Sequence, residues 1–410
     1  MVQTDNSKDE QLNNRAFTAP MGKGIPAAVD TTKLQDFPSK WKVRARSKAT
    51  DALSFAAPKQ EDFDPVTNLP TTRINDAITL AIKREVERSG KKLTPRAARA
   101  LMVNASKVLK VCLKEFARVN QHNVNGKREE PQHYVVRVPL LEIADRYGKD
   151  PTPNLRADMT PEEIKKEKAR AKNDLDYIRK KVRTGLGMLR DIHLTFEECL
   201  PGEKEPHNWA DIGILGAASI KNGVVNAEFT LSMGKYLYRC GTLIYDNLDA
   251  LRIPDDQAAA YSIHDKMVNQ WMNVKNWPTK TKKGNRVPNY NRLKMATIMK
   301  AAGGQTYEEL QKSKDRGHWR RAFKEAREND LDYLVSNGLL SSWEYDGYPK
   351  NYQFDSFEEW AEAVVVFMLT DAPDLTDLAE ERALEHQRQL ERAAAARARS
   401  HKKKRITKTS

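Results

Sequence analysis

Cysteine is scarce in this chain: 410 residues carry three, Cys112, Cys199 and Cys240. They are odd in number, far apart and never in a Cys-x-x-Cys spacing, which argues against a disulfide framework and a cysteine zinc site. They read as buried or incidental thiols of a reducing cytoplasm. Long apolar runs are missing too. None approaches the roughly 18–20 residues of a membrane span, and Met1–Lys8 has no apolar signal-peptide core. The expectation is a soluble, cytoplasmic protein with no membrane partner. A Gly-x-x-x-x-Gly-Lys-Ser/Thr loop is absent, which argues against ATP-driven unwinding by this chain. None of the eight histidines sits in the His-hydrophobic-His spacing of a rolling-circle nickase. His264-Asp265 is one unsupported acid-base pair, better read as a helix-surface or packing histidine. Asp255-Asp256 after Pro254 reads as a helix cap rather than a metal ligand set. The sequence thus points to a non-enzyme without metal, cofactor or catalytic residues.

Cations are plentiful. Seventy Lys and Arg against 56 Asp and Glu give a formal net charge of +14, and the sequence pI is about 9.4. The positive residues are spread along the whole chain, so a phosphate polymer is the natural partner. The length leaves room for two domains.

Residues 1–70 mix Pro, Lys, Asp, Asn and Ser with few periodic apolar positions and read as a disordered arm. Thr71–Arg88 reads as a helix. Thr94-Pro95, a capping residue before a proline at the first helical position, opens a longer one carrying Leu101, Ala105, Val108, Leu109, Cys112, Leu113 and Phe116. His133–Val138 alternates as a strand, and Pro139–Tyr147 is a short helix closed by Gly148. Thr160-Pro161-Glu162-Glu163 is a capping signature. Helical signals then persist to about His193, read as two helices joined near Asn173-Asp174. In the second, Leu175, Ile178, Val182, Leu186 and Leu189 form the apolar face and Arg179, Lys180 and Arg183 lie off it. Leu194–Cys199 and Asn208–Ile220 look extended, and Asn222-Gly223 turns the chain into Val224–Phe229. Met233–Trp277 reads as largely helical, and 278–290, basic and rich in breakers, as a linker.

A comparable order of signals recurs over 291–372. Asn291–Ala302 reads as a helix stopped by Gly303-Gly304, and Thr306 caps a short one. A third runs from about Gly317 to Asn337 with Arg316, Arg320, Lys324 and Arg327 on one sector and Trp319, Phe323 and Ala326 on its neighbour. Leu331, Leu334 and Val335 point about 100° away from that apolar set on a straight helix, so a bend is expected near Glu328–Asp330. Asp346-Gly347 reads as a hairpin turn with Tyr348–Phe354 as the return strand, and Phe357–Leu369 as an apolar helix. After Pro373 comes a charged helical or disordered tail (373–410) ending in the basic run His401–Arg405.

Helix, short helix, basic helix and β-hairpin thus occur twice, which defines the expected fold. It is α+β, mainly α, with two tandem winged-helix (helix-turn-helix plus β-wing) domains at 71–277 and 291–372. The chain resembles the plasmid replication initiators of the iteron-binding Rep family. The likeness rests on Glu228-Phe-Thr-Leu-Ser-Met-Gly-Lys-Tyr-Leu237 with Tyr261-Ser-Ile-His264, and on His318-Trp-Arg-Arg-Ala-Phe-Lys-Glu-Ala326 through Trp343-Glu-Tyr345. Asp150–Lys172 and Asp255–Ala260 depart from the family pattern. The resemblance implies binding of direct repeats (iterons) in an origin, opening of an AT-rich segment, recruitment of host helicase, and dimers acting as repressors.

A basic helix beside a wing can enter a major groove while the wing tracks phosphates. On that basis Arg316, His318, Arg320, Arg321, Lys324 and Arg327 are the expected readers in the second unit, and Arg179, Lys180 and Arg183 in the first. Lys221, Lys312 and Lys314 are expected on phosphates of double-stranded DNA. Two rivals share these features: a transcriptional regulator without an initiation role, and a scaffold that holds nucleic acid by charge alone.

Overall fold

The computed structural model describes residues 41–46, 95–120, 131, 133–199, 206–240, 242–273, 276–278, 289–304, 307–312, 318–349, 352–377, 379–380, 383–384, 388 and 391. The expected helix at Thr71–Arg88, the caps Thr94 and Thr306, Lys314, Arg316, most of 278–290 and the run His401–Arg405 lie outside the described residues. The described chain is mainly helical with small antiparallel sheets.

Strand β1, Trp41–Arg46, corrects the reading of 1–70 as an arm without structure, because it pairs antiparallel with a strand 200 residues on (Trp41 with Asn247, Arg46 with Thr242). Its signal is a six-residue alternation, Trp-Lys-Val-Arg-Ala-Arg, too short to stand out from polar surroundings. Helix α1, Pro95–Asn120, is the centre of the first half. Every residue from Met102 to Leu113 is buried, polar ones included. A helix wrapped on all sides must therefore find partners for Asn104, Ser106, Lys107 and Lys110.

Strand β2, Val135–Pro139, buries alternate residues and leads into helix α2, Leu140–Arg146. Helix α3, Pro161–Asp191, carries the expected capping box: Thr160 Oγ1 accepts from the Glu163 amide at 3.3 Å, and the Thr160 amide donates to the Glu163 carboxylate at 2.7 Å. It is one helix of 31 residues, not two. Asn173-Asp174 contains no Gly or Pro to interrupt the turns, and Arg170 spans the supposed junction, donating to Asp174 Oδ2 at 2.9 Å. Ile178, Val182, Leu186 and Leu189 are buried as the periodicity required. At Gly185 a Cβ would lie 2.6 Å from a Val108 methyl, so α3 and α1 meet where glycine alone fits.

Strands β3 (His193–Cys199) and β4 (Pro206–Gly213) form a hairpin, and β5 (Leu215–Lys221) and β6 (Val224–Phe229) form another that joins β2 in the order β2-β6-β5. Asn222 and Gly223 have φ values of 49° and 72°, the paired positive angles of a type I′ turn. Helix α4 is Leu231–Cys240. Strand β7, Thr242–Asn247, is β1's partner and interrupts the stretch expected to be helical. After a 3₁₀ turn, Leu248–Arg252, comes helix α5, Ala258–Trp271, buried over most of its circumference.

The second half opens with a short strand, β8 (Arg292–Lys294), before helix α6 (Met295–Ala302), and continues with α7, Tyr307–Gln311. The basic helix begins as a π-helical turn, Arg320–Glu325, and continues as α8, Ala326–Ser336. Strand β9, Leu340–Tyr345, pairs not with Tyr348–Phe354 but with β10, Val364–Leu369, beyond helix α9, Phe357–Glu362. The sheet order is β8-β10-β9. Three consecutive valines at 364–366 favour a strand, and a continuous apolar run from Phe357 hid the change of period. At the end of β9 Gly347, with φ 77°, supplies the positive angle; Asp346 does not share it.

The buried apolar side chains form one contiguous cluster from Ala98 to Ala379. Helix α5 is the wall the halves share, packed on α1 on one side and on α6 and α8 on the other. Trp277 and Tyr290 stack with centroids 3.9 Å apart, so the segment between them leaves and returns at one spot. Trp271 lies edge-on to both rings and donates its indole N–H to the Pro373 carbonyl at 2.8 Å. Leu375 and Ala379 are buried, so the tail begins inside the core.

Candidate nucleic-acid interface

In the first half α3 positions the cations. Its apolar side is fixed on α1, which turns the opposite side to solvent. Arg179, Lys180 and Arg183 are all exposed there. At about 100° per residue Arg179 and Arg183 are roughly 40° apart, with Lys180 roughly 60° further round. Arg179 faces Asp176 at 3.6 Å, with both side chains about half exposed, a pair that contributes under about 1 kcal/mol. Lys221 is exposed at the tip of the β5–β6 hairpin, and Lys312 is exposed just beyond α7. The neighbouring Lys181 points the other way, pairing with Asp255.

In the second half the structure divides the expected set. His318, Arg320 and Arg321 are exposed. Arg320 donates to the Phe354 carbonyl at 2.8 Å and lies 5.2 Å from the Trp319 ring centroid, so its guanidinium is held in one orientation. Trp319 packs against Phe357 and Trp360 with centroids 6.0 and 5.9 Å away, as an aromatic on that sector should.

Lys324 and Arg327, expected on the outer face, are turned inward. Lys324 is buried and pairs with Glu328 at 2.9 Å. Glu328 also accepts from the Tyr345 hydroxyl at 3.0 Å, and that oxygen accepts from the Trp360 indole at 3.0 Å. Burial pushes the Tyr345 phenol well above its ordinary value. Arg327 pairs with Asp330 at 3.1 Å; burial lowers the guanidinium's pKa and raises the carboxyl's.

The cause is the π turn. One wider turn accommodates an extra residue, which rotates everything after it by about 100° relative to a straight helix. That rotation brings Leu331 and Leu334 onto the side of Trp319 and Phe323 and carries Arg327 off the sector of Arg320. The sequence mismatch was real, but the irregularity lies at Arg320–Glu325 rather than Glu328–Asp330.

A second polar cluster, unforeseen in the sequence, is buried between α1, β7 and α5. Asp255 does not cap α5, whose N-cap is Gln257 without a side-chain bond. Its carboxylate instead takes Lys107 at 2.8 Å and Lys181 from α3. Lys110 pairs with Asp246 at 3.3 Å and with Asp265. His264 is fully buried rather than on a helix surface. Burial first, then the nearby Lys110 charge, pulls its pKa down to about 4. Its signal was the spacing of Lys107 and Lys110 among apolar residues of α1, which periodicity assigns to a core face.

What the exposed groups offer is hydrogen-bond donation with positive charge. A guanidinium fork matches two phosphate oxygens or the O6/N7 edge of guanine. Among the described residues no helix is long and apolar enough to cross a membrane. No protein-family model matches the chain, and no curated protein sequence does. Among solved structures the chain is similar to a crystal structure of a Pi initiator protein in complex with iteron DNA, at 9% identity and a TM-score of 0.40, over 82% of this chain and 100% of that one.

Proposed function

We propose that this chain is a sequence-specific double-stranded DNA-binding protein that initiates replication at an origin built of direct repeats. Two winged-helix units, 71–277 and 291–372, each contribute a basic helix. The observation that carries the reading is the exposed cation face of α3, backed on its opposite side by a continuous apolar contact with α1. A rigid helix with cations on the free side and a β-hairpin in the same half supplies both parts a groove reader needs. The second reader consists of His318, Arg320 and Arg321, with Arg320 already oriented. The initiation role, host helicase recruitment and a repressing dimer follow from the family resemblance in the sequence.

Footprinting on DNA flanking the gene tests the reading. Protection of short direct repeats, with discrimination against random duplex, is the expected result. Arg183→Ala and Arg321→Ala should each weaken cognate binding by about 1–3 kcal/mol and relax one position of the site. Equal affinity for repeats and random duplex would turn the assignment toward a charge-driven scaffold. Specific binding by a protein that an origin-dependent plasmid maintenance assay finds dispensable would leave a transcriptional regulator.

A further inference from the structure

Helix α3 is longer than a groove reader needs, and its cations do not stop where the core does. Buried side chains are confined to Ala171–Leu189, whereas the helix starts ten residues earlier, at Pro161. Lys165, Lys172, Arg179, Arg183 and Arg190 are all exposed. At about 100° per residue they fall within a sector of roughly 40°, and from Lys165 to Arg190 they extend about 38 Å at 1.5 Å per residue. Asp176 lies beside this stripe, paired with Arg179.

The protruding half is braced from behind. Arg170 donates to the backbone carbonyls of Asp150 and Thr152 at 2.8 and 3.1 Å and forms an ion pair with Glu167 at 2.7 Å. Glu167 accepts from the Asn154 amide at 3.0 Å. Hydrogen bonds from Arg170 and Asn154 hold the Glu167 carboxyl down at about 2. Glu167, Arg170 and Asp174 lie roughly opposite the stripe on the helix wheel. Residues 150–159 therefore stiffen the outer half while leaving its cations free.

Resting on the function proposed above, we infer that the N-terminal half of α3 is a phosphate-contacting outrigger. It extends the DNA contact beyond the groove that Arg179 and Arg183 enter. A major groove is about 12 Å wide, while Lys172 and Lys165 lie roughly 10 and 21 Å along the helix from Arg179. With the arginines at the groove centre, both lysines reach past its wall to the sugar-phosphate ridge. They carry point charges rather than planar forks, which suits phosphate contact without base choice. The stripe has no exposed large apolar residue among its five positions, as an interfacial membrane helix would need.

The test is a salt titration of full-length protein on the footprinted repeat, with Lys165→Ala/Lys172→Ala beside Lys166→Ala, which removes a cation roughly 100° from the stripe. The double variant should keep the wild-type ratio of specific to random binding. It should reduce the slope of log K against log salt by about 2 and shorten the protected region at one edge, with Lys166→Ala leaving both unchanged. Thermal melting matching wild type shows that the variant folds. A double variant with wild-type slope and footprint, while wild type binds specifically, overturns the outrigger alone. Altered sequence preference would also overturn it, as would loss of binding to anionic phosphatidylserine vesicles with DNA binding intact. Wild type that fails to distinguish repeats from random duplex overturns the underlying function instead.

Discussion

The two basic helices start from similar sequence material and end differently. On α3 every cation predicted to face outward does so, because 31 residues of unbroken α-helix keep one phase from cap to end. On the helix from Trp319 to Ser336 the phase slips once, at Arg320–Glu325, and two of the predicted readers become structural. A cationic sector is therefore evidence of an outward face only where the apolar sector opposite it stays in step. On the second helix it did not, and the arginines past the slip belong to the core.

The largest expected effect concerns what holds α3 in place. Asp255 joins it, through Lys181, to Lys107 of α1. Asp255→Ala strands Lys107 without a counter-charge in a buried site, so urea unfolding should show a loss of about 3–5 kcal/mol. A change under 1 kcal/mol would mean that the cluster contributes little.

Acid should act on the same wall. His264 titrates at about 4 in the fold because of burial and Lys110, against about 6.5 when unfolded. The unfolded chain therefore binds the extra proton first. This contribution is fully present above pH 6.5, declines as the pH falls toward 4, and amounts to about 3 kcal/mol. The neighbouring Asp246 and Asp265 carboxylates, paired with Lys110, add to the slope only if they titrate in the same window. Comparing the pH dependence of melting for wild type and His264→Leu checks it: the variant should lose most of the slope between pH 6.5 and 4.

A third pair of variants sharpens the contrast between the helices. Lys324→Ala leaves Glu328 to the Tyr345 hydroxyl alone and should lower stability by about 1–3 kcal/mol, with no change in which DNA positions matter. Arg321→Ala, exposed on the same helix, should show the reverse: an unchanged melting temperature and weaker cognate binding. Identical behaviour of the two in both assays would contradict the division of this helix into reading and packing parts. The smallest effect belongs to Asp176→Ala, which frees Arg179 and should change stability by under about 0.5 kcal/mol.

Much of the fold was legible where a local rule decides it: the Thr160 capping box, the Asn222-Gly223 turn, the buried face of α3 and the alternation of β2. What escaped needed information from elsewhere in the chain. Strand β1 is defined by a partner 200 residues away, and β10 follows a helix within one apolar run. Among the site residues, Arg179, Lys180, Arg183, Lys221, Lys312, His318, Arg320 and Arg321 are exposed as expected. Lys324 and Arg327 escaped because a wheel drawn at constant pitch has no place for a π turn. Lys165 and Lys172 were hidden by assigning their segment to a separate helix.

The wide turn at Arg320–Glu325 also means that the second helix's outward aspect is set by a count rather than by chemistry. Removing a single codon there would restore ordinary pitch and swing everything upstream against everything downstream by more than a quarter revolution. Without any contact residue being replaced, a different selection of side chains would be presented to solvent, so length variation within this helix is a route to altered recognition.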